Sequence, residues 1–219
     1  MALAIRHRSD TTPELASIPG LVVKRELDAE FMAALQGRGE VEMVQRFAAG
    51  HRAYVAWLDG WPAAWGWVAT RAAEIGEMEF AFAIPRGERY LWNFATLPSH
   101  RGKGIYPRLL DAIVRAESRE AERFWIAYAP ENHASGTGIR KAGFNTVAEL
   151  SFDALGKAAV SGRVEDGAVL AARLLGLPME EGGLAQCWRC ARAPTRALMS
   201  CSSGTCTCDY QRPQSGCAA

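Results

Sequence analysis

The first 186 residues of this 219-residue chain contain no cysteine, and no segment anywhere approaches eighteen uncharged apolar residues. The first absence excludes a disulfide framework for the body of the protein, and the second excludes a helical membrane span. Excess charge is also lacking, since 25 Lys and Arg against 24 Asp and Glu leave a net charge of +1. No basic block interrupts that balance, so bulk electrostatics draws the chain neither to nucleic acid nor to a membrane surface. Met1 to Asp10 carries Arg6, His7 and Arg8 but no apolar core of signal-peptide length, and a soluble, cytoplasmic protein is expected. Two nucleotide fingerprints are missing as well. No segment supplies Gly-x-x-x-x-Gly-Lys-Ser/Thr, and Gly102-Lys-Gly104 leads to Pro107 rather than to the third glycine of a dinucleotide turn. With 49% hydrophobic residues the chain is long enough for one sizeable core and a small appendage.

What is present begins with Thr96-Leu-Pro-Ser-His-Arg-Gly-Lys-Gly-Ile-Tyr106, a basic glycine-rich turn. Tyr90 to Thr96 reads as a strand by its aromatic and β-branched content, and Leu109, Leu110, Ile113 and Val114 recur at helical spacing beyond the turn. The turn therefore sits at a helix N-terminus, where unpaired N–H groups and the positive end of the macrodipole favour an anion. Gly102 and Gly104 admit close backbone approach, Arg101 and Lys103 add charge, and Pro107 suits a first helical turn. A solvated basic connection between strand and helix is the rival reading.

Arg101-Gly-Lys-Gly104 after Pro98, followed by Asn132-x-x-Ser135 and Ala142-Gly-Phe144, resembles the GNAT superfamily of acetyl-CoA-dependent N-acetyltransferases over residues 20–152. The resemblance implies a mixed α/β fold whose largely antiparallel sheet is flanked by helices, and an acetyl group moved from acetyl-CoA directly to an amine. It implies Arg101, Gly102, Lys103 and Gly104 as the pyrophosphate cradle, continued by Ile105 and Tyr106. Ala95, Thr96 and Leu97 would contact pantetheine through the backbone, and Asn132 and Ser135 would stand near that arm. A β-bulge in the strand before the turn would aim an amide at the thioester carbonyl. Two positions depart from the family. Tyr106 stands where a small residue is usual, and Ile139 replaces the tyrosine that often serves as general acid. A small-molecule or peptide amine would be the acceptor, nucleic acid and membrane would not be partners, and pairing of late strands would allow a homodimer. The alternative is a GNAT-like module that binds coenzyme A or another anion without turnover.

For proton transfer the chain offers Glu79 and Glu88 as bases and Tyr128 and Ser135 as proton donors, with a solvated or paired surface carboxylate as the bland reading of each glutamate. Trp57, Trp61, Trp65 and Trp67 crowd a hairpin around Asp59-Gly60, where core packing competes with an aromatic acceptor wall. Trp92 and Trp125 are candidates for the cleft. Gly136 and Gly138 weaken the helix Asn132 to Lys141, and a coenzyme A arm against that face would explain them.

The expected organisation is a flexible lead-in over 1–19, an acyltransferase domain over 20–164, a helix over 165–179 and a cysteine-rich tail over 180–219. In the tail, Cys187-Trp-Arg-Cys190 has the spacing of a zinc ligand pair, and Cys206-Thr-Cys208 offers two more thiolates. Disulfides and an unstructured thiol-bearing tail compete with zinc there.

Overall fold

In the computed structural model, residues 1–76, 80–152, 157–162 and 166–181 are described. They form a mixed α/β fold in which mostly antiparallel strands are flanked by helices, and they fall into two compact units.

The larger unit holds residues 6–126 and 138–144. Strand β2 (Leu21–Glu26) leads into helices α1 (Ala29–Gln36) and α2 (Glu40–Ala48), then β3 (Arg52–Leu58) and β4 (Trp61–Ala69). A small hairpin, β5 (Ala72–Ile75) with β6 (Phe80–Ala83), precedes β7 (Glu88–Thr96), which runs through a single 3-10 turn at Pro98–His100 into α3 (Ile105–Glu117). Strand β8 (Arg123–Tyr128) follows. The strands lie in the order β8, β7, β4, β3, β2; β7 and β8 are parallel and the rest antiparallel.

Local chemistry sets these elements. Asp28 caps α1 by accepting from the Phe31 N–H at 3.0 Å. The β3–β4 connection is a two-residue hairpin, with Leu58 opposite Trp61 and both Asp59 and Gly60 at positive φ. Met32, Ala33 and Met43 of α1 and α2 pack on Ala53, Val55 and Trp67, which are all buried. Tyr54 points to the opposite face of β3 and donates to Glu117 of α3 at 2.6 Å, which puts α3 on the other side of the sheet. Arg52 and Arg89 complete that buried knot on Glu117 at 2.6 and 2.8 Å, and both also bond Glu120. Burial and then the Glu117 bond push the Tyr54 phenol well above its usual range.

Among the described residues, the smaller unit contains 1–5, 127–137, 145–152, 157–162 and 166–181. Here the N-terminal strand β1 (Ala2–His7) pairs antiparallel with β9 (Asn145–Phe152), from Ala2 opposite Glu149 to Ile5 opposite Asn145. The flexible lead-in expected for 1–19 is thereby corrected over these residues: Ala2, Leu3 and Ala4 are buried, and the ladder satisfies their backbone. Strand β10 (Ala158–Gly162) extends the sheet antiparallel to β9, and β11 (Met179–Glu181) lies parallel to β10. Helix α5 (Asp166–Leu175) packs on β9 and β10 through Ala168, Ala171 and Leu174. Among the described residues no helix is long and apolar enough to cross a membrane.

Candidate active site

The β7–β8 ladder runs from Glu88 opposite Arg123 to Leu91 opposite Ile126. Beyond it, β7 continues through Thr96 against β4, with Ala95 opposite Trp65 and Thr96 opposite Ala64. Between the Trp67–Trp92 and Trp65–Ala95 pairs, β7 carries an extra residue, a β-bulge at Asn93–Phe94, and Asn93 takes a φ of 51°. A β-bulge was expected in this strand, and one is present.

Helix α2 pins the bulge from one side. With its amide oxygen turned toward α2, Asn93 accepts from Arg46 at 2.7 and 3.2 Å. The Arg46 guanidinium lies over the rings of Trp92 and Trp67, 4.6 and 5.1 Å from their centroids, and donates to Glu42 at 2.5 Å. Burial, only partly offset by Glu42, draws its pKa below the usual arginine range. Trp92 also donates its indole N–H to His51 Nδ1 at 3.2 Å. Burial, then the charges of Arg46 and Arg71, lower the His51 pKa and keep the ring neutral. The buried Trp65 indole N–H has no hydrogen-bond partner among the described residues. Sequence reasoning missed Arg46, Asn93 and His51; the nearest signal was the tryptophan cluster, whose Trp67 sits in the core while Trp61 is 74% exposed.

Past Thr96 the chain makes the basic turn. Leu97 donates its N–H to the Ala63 carbonyl at 2.9 Å, and Arg101 Nε donates to the Thr96 carbonyl at 3.2 Å. Arg101, Gly102 and Lys103 are exposed, while Ile105 is buried. Gly102 and Gly104 have φ of 76° and 72°, and nothing lies within 4 Å of where a Gly102 Cβ would stand. Helix α3 starts without a side-chain cap, so its first N–H groups face the turn. These features fit a pyrophosphate. Tyr106 does not crowd it: the ring lies 5.6 Å from Phe94 and against Gly138, where a Cβ would come within 2.4 Å of it. Close packing of Tyr106 thus accounts for Gly138, which the sequence reading explained by coenzyme A.

The proton-transfer candidates fare unevenly. Glu88 is buried and accepts from the Trp125 indole N–H at 2.6 Å and from Arg123 at 3.3 Å, so it is a structural carboxylate rather than a surface one. Trp125 is fully buried and lines no cleft. In the smaller unit, Asn132 Oδ1 accepts from the Ser135 N–H at 3.0 Å and caps α4 (His133–Lys141), and the Tyr128 and Thr146 hydroxyls are 2.9 Å apart. Ile139 is fully buried. Glu79 and the proposed zinc ligands Cys187, Cys190, Cys206 and Cys208 lie outside the described residues. Among the described residues, no group of three or more His, Cys, Asp or Glu is placed to hold a metal.

The acetyltransferase (GNAT) domain model matches residues 18–145, and the chain belongs to that family. Among solved structures, it is similar to a GCN5-related N-acetyltransferase from Kribbella flavida at 19% identity, covering 66% of this chain and 53% of that one, with a TM-score of 0.48. An aminoglycoside acetyltransferase, AAC(6')-Iy, in complex with the bisubstrate analogue CoA-S-monomethyl-acetylneamine matches at 16% identity, 60% and 95% coverage and a TM-score of 0.48. The yncA protein of Salmonella typhimurium, with its cofactor acetyl-CoA, matches at 15% identity, 60% and 84% coverage and a TM-score of 0.43. The chain thus spans about half the length of the Kribbella protein. No curated protein matches it in sequence.

Proposed function

We propose that this chain moves an acetyl group from acetyl-CoA directly to the amine of a small molecule or peptide. The observation that carries the reading is the continuity of one segment: a bulged β7, the exposed Arg101-Gly-Lys-Gly104 turn and the uncapped start of α3. In it, Arg101, Lys103 and the first α3 amides hold the pyrophosphate. The backbone of Ala95, Thr96 and Leu97 pairs with the pantetheine arm, and a backbone amide of the bulge donates to the carbonyl oxygen as the amine adds and that oxygen gains charge. The amine nitrogen forms the new bond to the acyl carbon, the carbon–sulfur bond breaks, the amine loses a proton and the thiolate gains one. Tyr128, whose hydroxyl lies 2.9 Å from that of Thr146, stands as the candidate proton donor. Arg46 and Asn93 hold the bulge in shape. The protein works in the cytoplasm, where acetyl-CoA is available.

A coenzyme A-binding module without turnover is the second reading, favoured by Ile139, whose buried side chain has no proton to give. Release of free coenzyme A from acetyl-CoA in the presence of a panel of amines separates the two. Amine-dependent release establishes the enzyme. Binding without release on every amine establishes the module.

A further inference from the structure

The larger unit has a cavity of about 500 Å³ among Arg25, Phe47, His51, Arg52, Thr70 and Arg71, and among the described residues no carboxylate lines it. Arg52 is committed to Glu117 and Glu120. Arg25 and Arg71 are exposed and make no salt bridge within 4.0 Å among the described residues, although the charge of Arg25 acts on the Glu120 carboxyl that Arg52 binds. Arg71 is folded over Gly50: a Cβ there would come within 2.6 Å of its Nε, so only glycine, at a φ of 87°, lets the guanidinium lie against the chain leading into His51. The Thr70 hydroxyl is spent on the Gly50 carbonyl at 2.8 Å, which fixes the same corner.

His51 completes a set of donors. Its Nδ1 accepts the Trp92 indole N–H, so the neutral ring carries its proton on Nε2 and offers an N–H. Burial first, and then the charges of Arg46 and Arg71, disfavour a second proton on it. Two exposed guanidinium forks and one imidazole N–H, with no carboxylate among the described lining residues, match the oxygens of a carboxylate or phosphate. The chain itself links the cavity to the bulged strand: Trp92, whose indole N–H is bonded to His51, immediately precedes Asn93 of the bulge, and a small acceptor at that strand is the source we take for the anion.

We infer that this cavity binds an anionic group, a carboxylate or a phosphate, carried by the acyl acceptor. This rests on the acetyltransferase reading for the source of the anion, though not for the site itself. The site is tested by titrating succinate and inorganic phosphate into the protein saturated with coenzyme A, which occupies the glycine turn, while following the His51 ring nitrogens by NMR. A saturable shift with a raised His51 pKa is expected. Arg25→Ala/Arg71→Ala should weaken it at least fivefold, and Arg71→Lys should weaken it less. Both side chains are exposed, and an unchanged melting temperature verifies folding. The source is tested with matched amines that differ only by a carboxylate. The acid should be turned over with kcat/KM at least tenfold above its amide, the double variant should lose that preference, and succinate should compete with the acceptor. No saturable shift overturns the site. Equal turnover of acid and amide, or inhibition by succinate that does not compete with the acceptor, overturns the assignment to the acceptor. Absence of coenzyme A release with every amine overturns the acetyltransferase reading, and the His51 titration still decides the anion site.

Discussion

Replacing Arg46 with alanine tests whether α2 controls the catalytic strand. The side chain contributes two ring contacts of about 0.5–1 kcal/mol each, bonds to Asn93 of about 1–1.5 kcal/mol, and a half-exposed i,i+4 pair with Glu42 of about 0.3–0.5 kcal/mol. Against these stands the cost of burying a guanidinium, the same desolvation that draws its pKa down. A net loss of about 2 kcal/mol follows, which for a chain of this size lowers Tm by about 4–8 °C. The functional effect is separate. Asn93 keeps a φ of 51° with Arg46 on its side-chain oxygen, and losing that hold lets the following amide wander from the carbonyl. Removing one oxyanion donor outright costs about 10²–10³ in kcat, so loosening it should cost about tenfold. The glycine turn proposed to hold coenzyme A is untouched, so its Kd should stay within about twofold. Thermal melts, coenzyme A calorimetry and steady-state kinetics at one temperature read all three. Arg46→Lys, which keeps the charge and loses the fork, should fall between. A lowered Tm with kcat unchanged would refute the positioning role and leave Arg46 as packing alone.

Two further outcomes follow from the titrating groups. Burial pushes the Glu117 carboxyl up, but hydrogen bonds from Tyr54, Arg89 and Arg52 outweigh it and leave the pKa below the usual range. Its stabilisation is thus full above the ordinary glutamate value of about 4.3 and is lost as pH falls through the lower folded value. Glu117→Gln should cost about 2–3 kcal/mol at pH 7, below the usual penalty for breaking a buried pair because Glu120 still neutralises both arginines. Urea midpoints should show that gap closing in acid, and a gap that does not vary with pH would contradict the assignment. For His51 the folded pKa is lowered, so the folded state binds fewer protons and stability declines as pH falls below about 6.5. His51→Asn, which keeps an acceptor for Trp92, should flatten that decline, and an unaltered pH profile would show that another group causes it.

Much of the chain was legible locally. The helix Glu40–Ala48 has a local signal, since Gly37 and Gly39 break the chain before an amphipathic run. The strand, glycine turn and helix around Arg101 were legible because their signals lie in one continuous segment, Tyr90 to Val114. What stayed hidden depends on partners distant in sequence. Ala2–His7 looked like a loose end because its ladder partner begins at Asn145. Glu88 looked like a surface carboxylate until Trp125 and Arg123 closed over it, and Arg46 has the pattern of any polar residue on a surface helix. The bulge was expected from the family resemblance, but nothing in the local pattern says that Asn93 would be its left-handed residue.

The central claim is that the Arg101–Gly104 turn holds the pyrophosphate of acetyl-CoA. Calorimetric titration of acetyl-CoA into the wild type and into Arg101→Ala/Lys103→Ala tests it directly. Micromolar binding that the double substitution weakens tenfold or more, about 1.4 kcal/mol, is the predicted result. Equal affinity of the two proteins, or no binding by a folded wild type, would contradict it.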